Sequence, residues 1–228
     1  MNYSEIINIS VSVISIIIAL LALFQTNRQI SLSNKQQLFD RRLSRYLEFN
    51  TIYSLYTANK LQLKDESTFY HTNDLIFSWL TNCADLEEMT LAVFYPLQQK
   101  EQKILLTKYE QLKNSAIEIS MIFDGNSAKI AENFASSFAD LLKAMYQQQV
   151  YISKLKEQEE RDKTPLYLED YEEKCKEMAA RLSLFELRDK LENLDGEIIR
   201  QKVLDEMKKV KIDEKKEVLK VDLTGEIY

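Results

Sequence analysis

Hydrophobic residues fall along this chain in two regimes. From Ile6 to Phe24 (IINISVSVISIIIALLALF) they run without one Lys, Arg, Asp or Glu, and the flanking charges are Glu5 and Arg28. Beyond Arg28 they recur at spacings of three and four, separated by charged and amide residues. The first regime has the length of a membrane span. At a rise of ~1.5 Å per residue it covers roughly 28 Å, about the hydrocarbon thickness of a bilayer. A cleaved signal peptide begins with basic residues and has a shorter apolar core; here MNYSE carries Glu5 and no Lys or Arg. A core helix of a soluble domain is seldom apolar on every side over such a length. The run therefore predicts a single transmembrane anchor, placed within residues 1–27.

The second regime predicts helices. Leu32, Phe39, Leu43, Tyr46, Tyr53 and Tyr56 put a helix over 26–64, and KDESTFYHTND reads as a loop. A second helix starts at Asn73 or Asp74, carries Ile76, Leu80, Cys83 and Leu86 on its inner stripe, and stops near Tyr95 before Pro96. A third covers about Leu97–Phe123, with Leu105, Tyr109, Leu112, Ala116, Ile119 and Phe123 in a heptad-like seam. Asp124-Gly125-Asn126-Ser127 turns the chain into a fourth helix, about Ala128–Glu160, which keeps the same repeat through Phe134, Phe138, Leu141, Met145, Gln148, Ile152 and Leu155. Thr164-Pro165 opens a fifth helix that runs to Leu194 and is closed by Asp195-Gly196. A weaker sixth runs from Glu197 to about Val210, followed by a mixed-charge tail. The expectation is an all-α chain: a transmembrane helix (1–27), an elongated cytoplasmic helical bundle of about five to six helices with coiled-coil-like seams (28–196), and a weak helix with a charged tail (197–228).

Composition sharpens this picture. Only 3 Gly and 2 Pro occur among 228 residues, which favours long helices over sheets with tight turns. Hydrophobic residues make up 45% of the chain, enough for a real core outside the anchor. The net charge is −6, with the acidic excess in the second half and the basic excess just after the anchor. That distribution lacks the basic face of a nucleic-acid-binding protein, so no nucleic-acid partner is expected. Arg28, Lys35, Arg41, Arg42 and Arg45 follow the anchor with Asp40 as the one acid among them. The positive-inside rule then puts the N-terminus outside and the remainder in the cytoplasm. The same five basic residues are candidates for contact with anionic lipid headgroups.

Inside the anchor, Asn8, Ser12, Ser15, Ala19 and Ala22 share one stripe at spacings of four, three, four and three. Small residues let helices approach closely in lipid, so this stripe is the candidate helix–helix contact. The competing reading is that each Ser bonds to its own helix. Catalytic chemistry is sparse. No GxGxxG, Walker loop, HExxH or GxSxG is present, and His71 has no Cys or His companion at ligand spacing. Cys83 and Cys175 sit on apolar helical faces and read as reduced, buried small hydrophobes. Tyr46, Tyr53 and Tyr56 read as core, and the acids Glu169, Asp170, Glu172 and Glu173 suit a helix N-terminus. No catalytic residue, metal, cofactor or small-molecule substrate is expected.

Gln37-Leu38-Phe39-Asp40-Arg41-Arg42-Leu43, followed by Tyr46, resembles a pattern in uncharacterised bacterial proteins. In those, one N-terminal membrane helix is followed by an LFD-basic-R-x-x-x-Y segment and a helical cytoplasmic region. The resemblance covers about the first fifty residues and implies the architecture without an activity. The function expected is non-enzymatic: a membrane-tethered interaction or scaffold protein with the bilayer and a protein partner, or another copy of itself, as its contacts. The alternative is a membrane effector, of a phage-defence or toxin-like kind, whose anchors oligomerise to perturb the bilayer.

Overall fold

The structure is a computed structural model of the chain and describes residues 3–64, 97–162 and 168–209. Among the described residues there are six helices and no strand. They are α1 (Tyr3–Lys64), α2 (Gln99–Ile122), α3 (Asn126–Asp162), α4 (Leu168–Arg181), α5 (Leu184–Gln201) and α6 (203–209). The chain divides into two units between Leu43 and Ser44. The first contains the apolar part of α1, and the second, Ser44–Lys208, contains the core. The expected helix at 73–95, with Trp79 and Cys83, lies outside the described residues, as do His71 and the Thr164-Pro165 start.

Within the second unit α3 is the central element and packs against α2, α4 and α5. Phe134, Phe138, Leu141, Leu142, Met145 and Ile152 of α3 are all buried. Ala131, Ala135 and Ala139 are buried beside them, and their small volume lets the neighbouring helices approach. The expected seam of α2 is on the inside: Leu105, Leu112, Ala116, Ile119 and Phe123 are buried and Tyr109 is half-buried. From α1 the core receives Phe49, Ile52, Leu55, Tyr56 and Leu63. Phe134 is the hinge point of this packing. Its ring meets Phe49, Tyr53 and Tyr56 edge-on, with centroids at 6.0, 5.5 and 5.2 Å. Such edge-to-face contacts add about 0.5–1.5 kcal/mol per pair beyond the area they bury.

The turn between α2 and α3 forms as its residues imply. Gly125 has φ +87, a conformation open to glycine and costly to other residues, and α3 begins at the next residue. The amide of Asn126 donates to Gln201 Oε1 at 2.7 Å, tying the start of α3 to the end of α5.

Two expectations fail in the C-terminal half. The fifth helix is not continuous: it ends at Arg181 and a new helix begins at Leu184, with Ser183 at φ 54 between them. The physical reason is a slip of phase. Continuing the stripe of Cys175, Ala179 and Leu182 would next present Glu186, Asp189 and Asn193 to the core. The buried positions instead move to Leu184, Leu191, Leu194 and Ile198, and a left-handed residue absorbs the shift. Nor does Asp195-Gly196 close the helix, which runs on to Gln201. A second left-handed residue, Lys202 at φ 50, then resets the phase so that Val203 and Met207 of α6 are buried.

Candidate functional site

Three places bear on function. The first is the apolar stretch of α1. Every residue from Val11 to Phe24 is exposed, and Phe24 is 70% exposed. Ser12 and Ser15 turn their hydroxyls back onto the helix, donating to the carbonyls of Asn8 and Val11 at 2.8 Å each. Thr26 does the same to Ala22 at 2.8 Å. The stripe residues Asn8, Ser12, Ser15, Ala19 and Ala22 all lie on exposed positions of this helix. Their serine hydroxyls are satisfied locally and need no neighbouring helix. This is the one helix among the described residues that is long and apolar enough to cross a membrane.

The second place is a polar groove of about 710 Å3 between α1 and α2. Arg45 stands in it. Its Nε donates to Glu118 at 2.9 Å, and its Nη1 donates to Ser115 at 2.7 Å and also to Glu48 one turn along. Ser44, Leu47 and Thr51 on α1, with Lys108, Gln111 and Asn114 on α2, complete the walls. Two cations, Arg45 and Lys108, and two carboxylates, Glu48 and Glu118, line the groove, so its charges are equal in number. Of the five basic residues that follow the anchor, Arg28, Lys35 and Arg41 are exposed and Arg42 is half-buried, while Arg45 is committed to this network.

The third place is a carboxylate inside the second unit. Asp195 on α5 is 7% exposed. Tyr53 donates its hydroxyl to Oδ1 at 2.8 Å, and the ammonium of Lys60 reaches Oδ2 at 3.3 Å. Burial first, then the hydrogen bond to Asp195, pushes the Tyr53 phenol up to about 12 from its ordinary 10.0. Burial also pushes Tyr56 up, with the negative charge of Asp195 adding to the effect. Neither phenol can serve as a base near neutral pH, and the carboxylate is filled by its two donors. The arrangement docks α5 on α1.

A comparable cluster joins α2 to α3. Tyr109 donates to Asp140 at 2.9 Å, Lys113 reaches the same carboxylate at 3.0 Å and Ser136 at 2.6 Å, and Lys143 lies 4.8 Å from the Tyr109 ring centre. Cys175 is buried and its thiol is pushed up by burial, which keeps it protonated and unreactive. The Gln148 amide donates to the Cys175 carbonyl at 2.9 Å, a buried tie between α3 and α4. Among the described residues no group of three or more His, Cys, Asp or Glu is placed to hold a metal ion.

Sequence reading missed the Tyr53–Asp195–Lys60 contact and the Arg45–Glu118 pair, because both join residues far apart in the chain. One signal existed for the first: Asp195 follows Leu194 on the stripe of α5 that faces the core. Compared with known proteins, no family model, curated protein or solved structure matches this chain.

Proposed function

We propose that this chain is a membrane-tethered, non-enzymatic interaction protein, an elongated helical bundle with coiled-coil-like seams held beneath a bacterial inner membrane. The observation that carries the reading is the exposure of Val11–Phe24, a stretch without one charged residue. Each large apolar side chain left in water forgoes about 1.5–3 kcal/mol of burial, so a stretch this long needs lipid around it. Arg28, Lys35, Arg41 and Arg42 follow on the cytoplasmic side and leave the short N-terminus outside. The core domain then presents its helical surfaces to protein partners at the membrane. Its clusters of charge are filled by one another, which favours a docking role over chemistry or small-molecule binding.

Two measurements test this. Single cysteines at Tyr3 and Asp124, labelled in intact cells with a membrane-impermeant maleimide, should react at position 3 and stay protected at 124; the reverse pattern would refute the orientation. Exchanging residues 6–24 for an unrelated single-pass helix should preserve function. Loss of function on that exchange, or on Ser12→Leu with Ser15→Leu, would favour an effector whose anchors act on the bilayer.

A further inference from the structure

Leucines and phenylalanines along α1 are covered unequally. Leu20, Leu21 and Leu23 are 60, 59 and 62% exposed, and Phe24 is 70% exposed. Leu32 and Phe39 on the same helix are half-buried, and every other residue between Val11 and Arg41 is exposed. An uninterrupted helix shields side chains of one type to the same extent, so the difference means cover from outside the helix. Leu32 and Phe39 stand seven residues apart, and the half-buried Leu43 and Tyr46 continue their stripe. Lys35 and Arg42 stand on the same side, three residues after each, and both are engaged in polar or charged contacts.

One stretch of the chain starts where it can supply that cover. In the core domain α1 enters at Ser44, and Arg45 bonds to Ser115 and Glu118 near the end of α2. The start of α3 follows directly, and Asn126 ties it to Gln201 at the end of α5. Residues 203–209 of α6 then lead to Val210 from that same end of the domain. Residues 65–96 start at the opposite end. Lys64 is ~48 Å along α1 from Leu32, and a helical run of thirty-two residues, ~48 Å in all, cannot travel that path and return to Gln99.

We propose that residues 210–228 run antiparallel along α1 and cover its Leu32–Phe39–Leu43 stripe, so that the chain supplies its own partner helix beneath the anchor. The sequence beyond α6 has the pattern this needs. Val203, Met207, Val210, Glu214, Val218 and Val221 recur at four, three, four, four and three, and Val203 and Met207 are buried. The stretch from Val210 to Val221 equals in length the stretch from Leu43 back to Leu32, ~17 Å of helix for each. Charge is complementary as well. The one acid on the tail's stripe is Glu214, with Glu217 beside it, and the cations on the stripe of α1 are Lys35 and Arg42. Valines close over Leu32 and Phe39 while the carboxylates meet the two cations.

The test is maleimide labelling of the full chain in detergent, with Cys83→Ser and Cys175→Ala, so the outcome does not depend on the anchor's orientation. Single cysteines replace Leu32 or Phe39 on the stripe, and Ile30 or Gln36 as exposed controls on the same stretch. Labelling at 32 and 39 should be about tenfold slower than at 30 and 36, as for a covered site open in about one molecule in ten. Removing residues 210–228 should bring all four rates together. Val218→Arg with Val221→Arg in the otherwise full-length chain should do the same, with helix content of the core read alongside by circular dichroism. Equal rates in the full chain would overturn the proposal. So would slow labelling at 32 and 39 that survives both changes, since the cover would then come from elsewhere. Slow labelling that fades on dilution of the protein would assign the cover to a second copy, and would overturn it too.

Discussion

The phenol of Tyr53 donates a 2.8 Å hydrogen bond to the carboxylate of Asp195, which lies 142 residues further along the chain. With Lys60 on the other oxygen, this contact fastens α5 to α1. Hydrogen bonds to a buried charge contribute about 1.5–3 kcal/mol, and removing the shared partner strands both donors. Asp195→Ala should therefore lower unfolding stability by about 2–3 kcal/mol and Tyr53→Phe by about 1 kcal/mol. Denaturant unfolding of the purified chain in detergent checks both. The double variant should lose less than the sum of the two, since the residues share one interaction.

The same contact predicts a response to alkali. The folded state holds the Tyr53 phenol at about 12 against an ordinary 10.0. Folding thus favours the protonated phenol. That stability is fully present below pH 10 and falls as pH rises through the interval from 10.0 to about 12. Thermal melts across that interval should show a declining midpoint, and Tyr53→Phe should make the decline shallower. Tyr56 shifts in the same direction and adds to the slope, so the variant should not abolish it.

Gly125 and Gly196 should respond to alanine in opposite ways. A Cβ at either position meets nothing within 4 Å, so crowding plays no part. Gly125 sits at φ +87, where alanine is strained by about 1–2 kcal/mol. Gly196 lies in the interior of α5, where alanine is favoured by roughly 0.5–1 kcal/mol. Gly125→Ala should lower the unfolding midpoint and Gly196→Ala should raise it. Equal shifts would contradict the backbone assignments of the turn at Gly125 and the helix at Gly196.

The left-handed residues give a complementary test. Lys202 at φ 50 closes α5 with its N–H bonded back to the carbonyl of Ile199 at 3.3 Å. A non-glycine residue in this region costs about 1–2 kcal/mol, partly offset by the entropy glycine loses on folding. Lys202→Gly should stabilise the chain by roughly 0.5–1 kcal/mol by that balance. A loss of stability would mean that the lysine side chain supplies something the φ angle does not account for.

Much of the helical layout was legible because it follows from local periodicity. The seam from Leu105 to Phe123 and the turn at Gly125 are short-range patterns, and the structure keeps both. The breaks at Ser183 and Lys202 were not foreseen, because neither residue is a Gly or Pro. Their cause was nevertheless present in the sequence, since an unbroken stripe after Leu182 would have carried Glu186 and Asp189 to the core. Long-range partners were a different matter. Arg45 followed the anchor among other basic residues and read as a lipid contact, whereas the structure engages it with Glu118 and Ser115 of α2. No periodicity in α1 names a residue on α2. Likewise Asp195 read as a helix stop, because Asp-Gly is a turn signal and Tyr53 is too distant to modify it.

The most direct test of the central claim is carbonate extraction of membranes from cells that express the full chain. An integral anchor at Ile6–Phe24 predicts that the protein stays in the membrane pellet at alkaline pH, and that Ile17→Lys with Leu20→Lys moves it to the supernatant. Release of the unaltered chain into the supernatant would contradict the account.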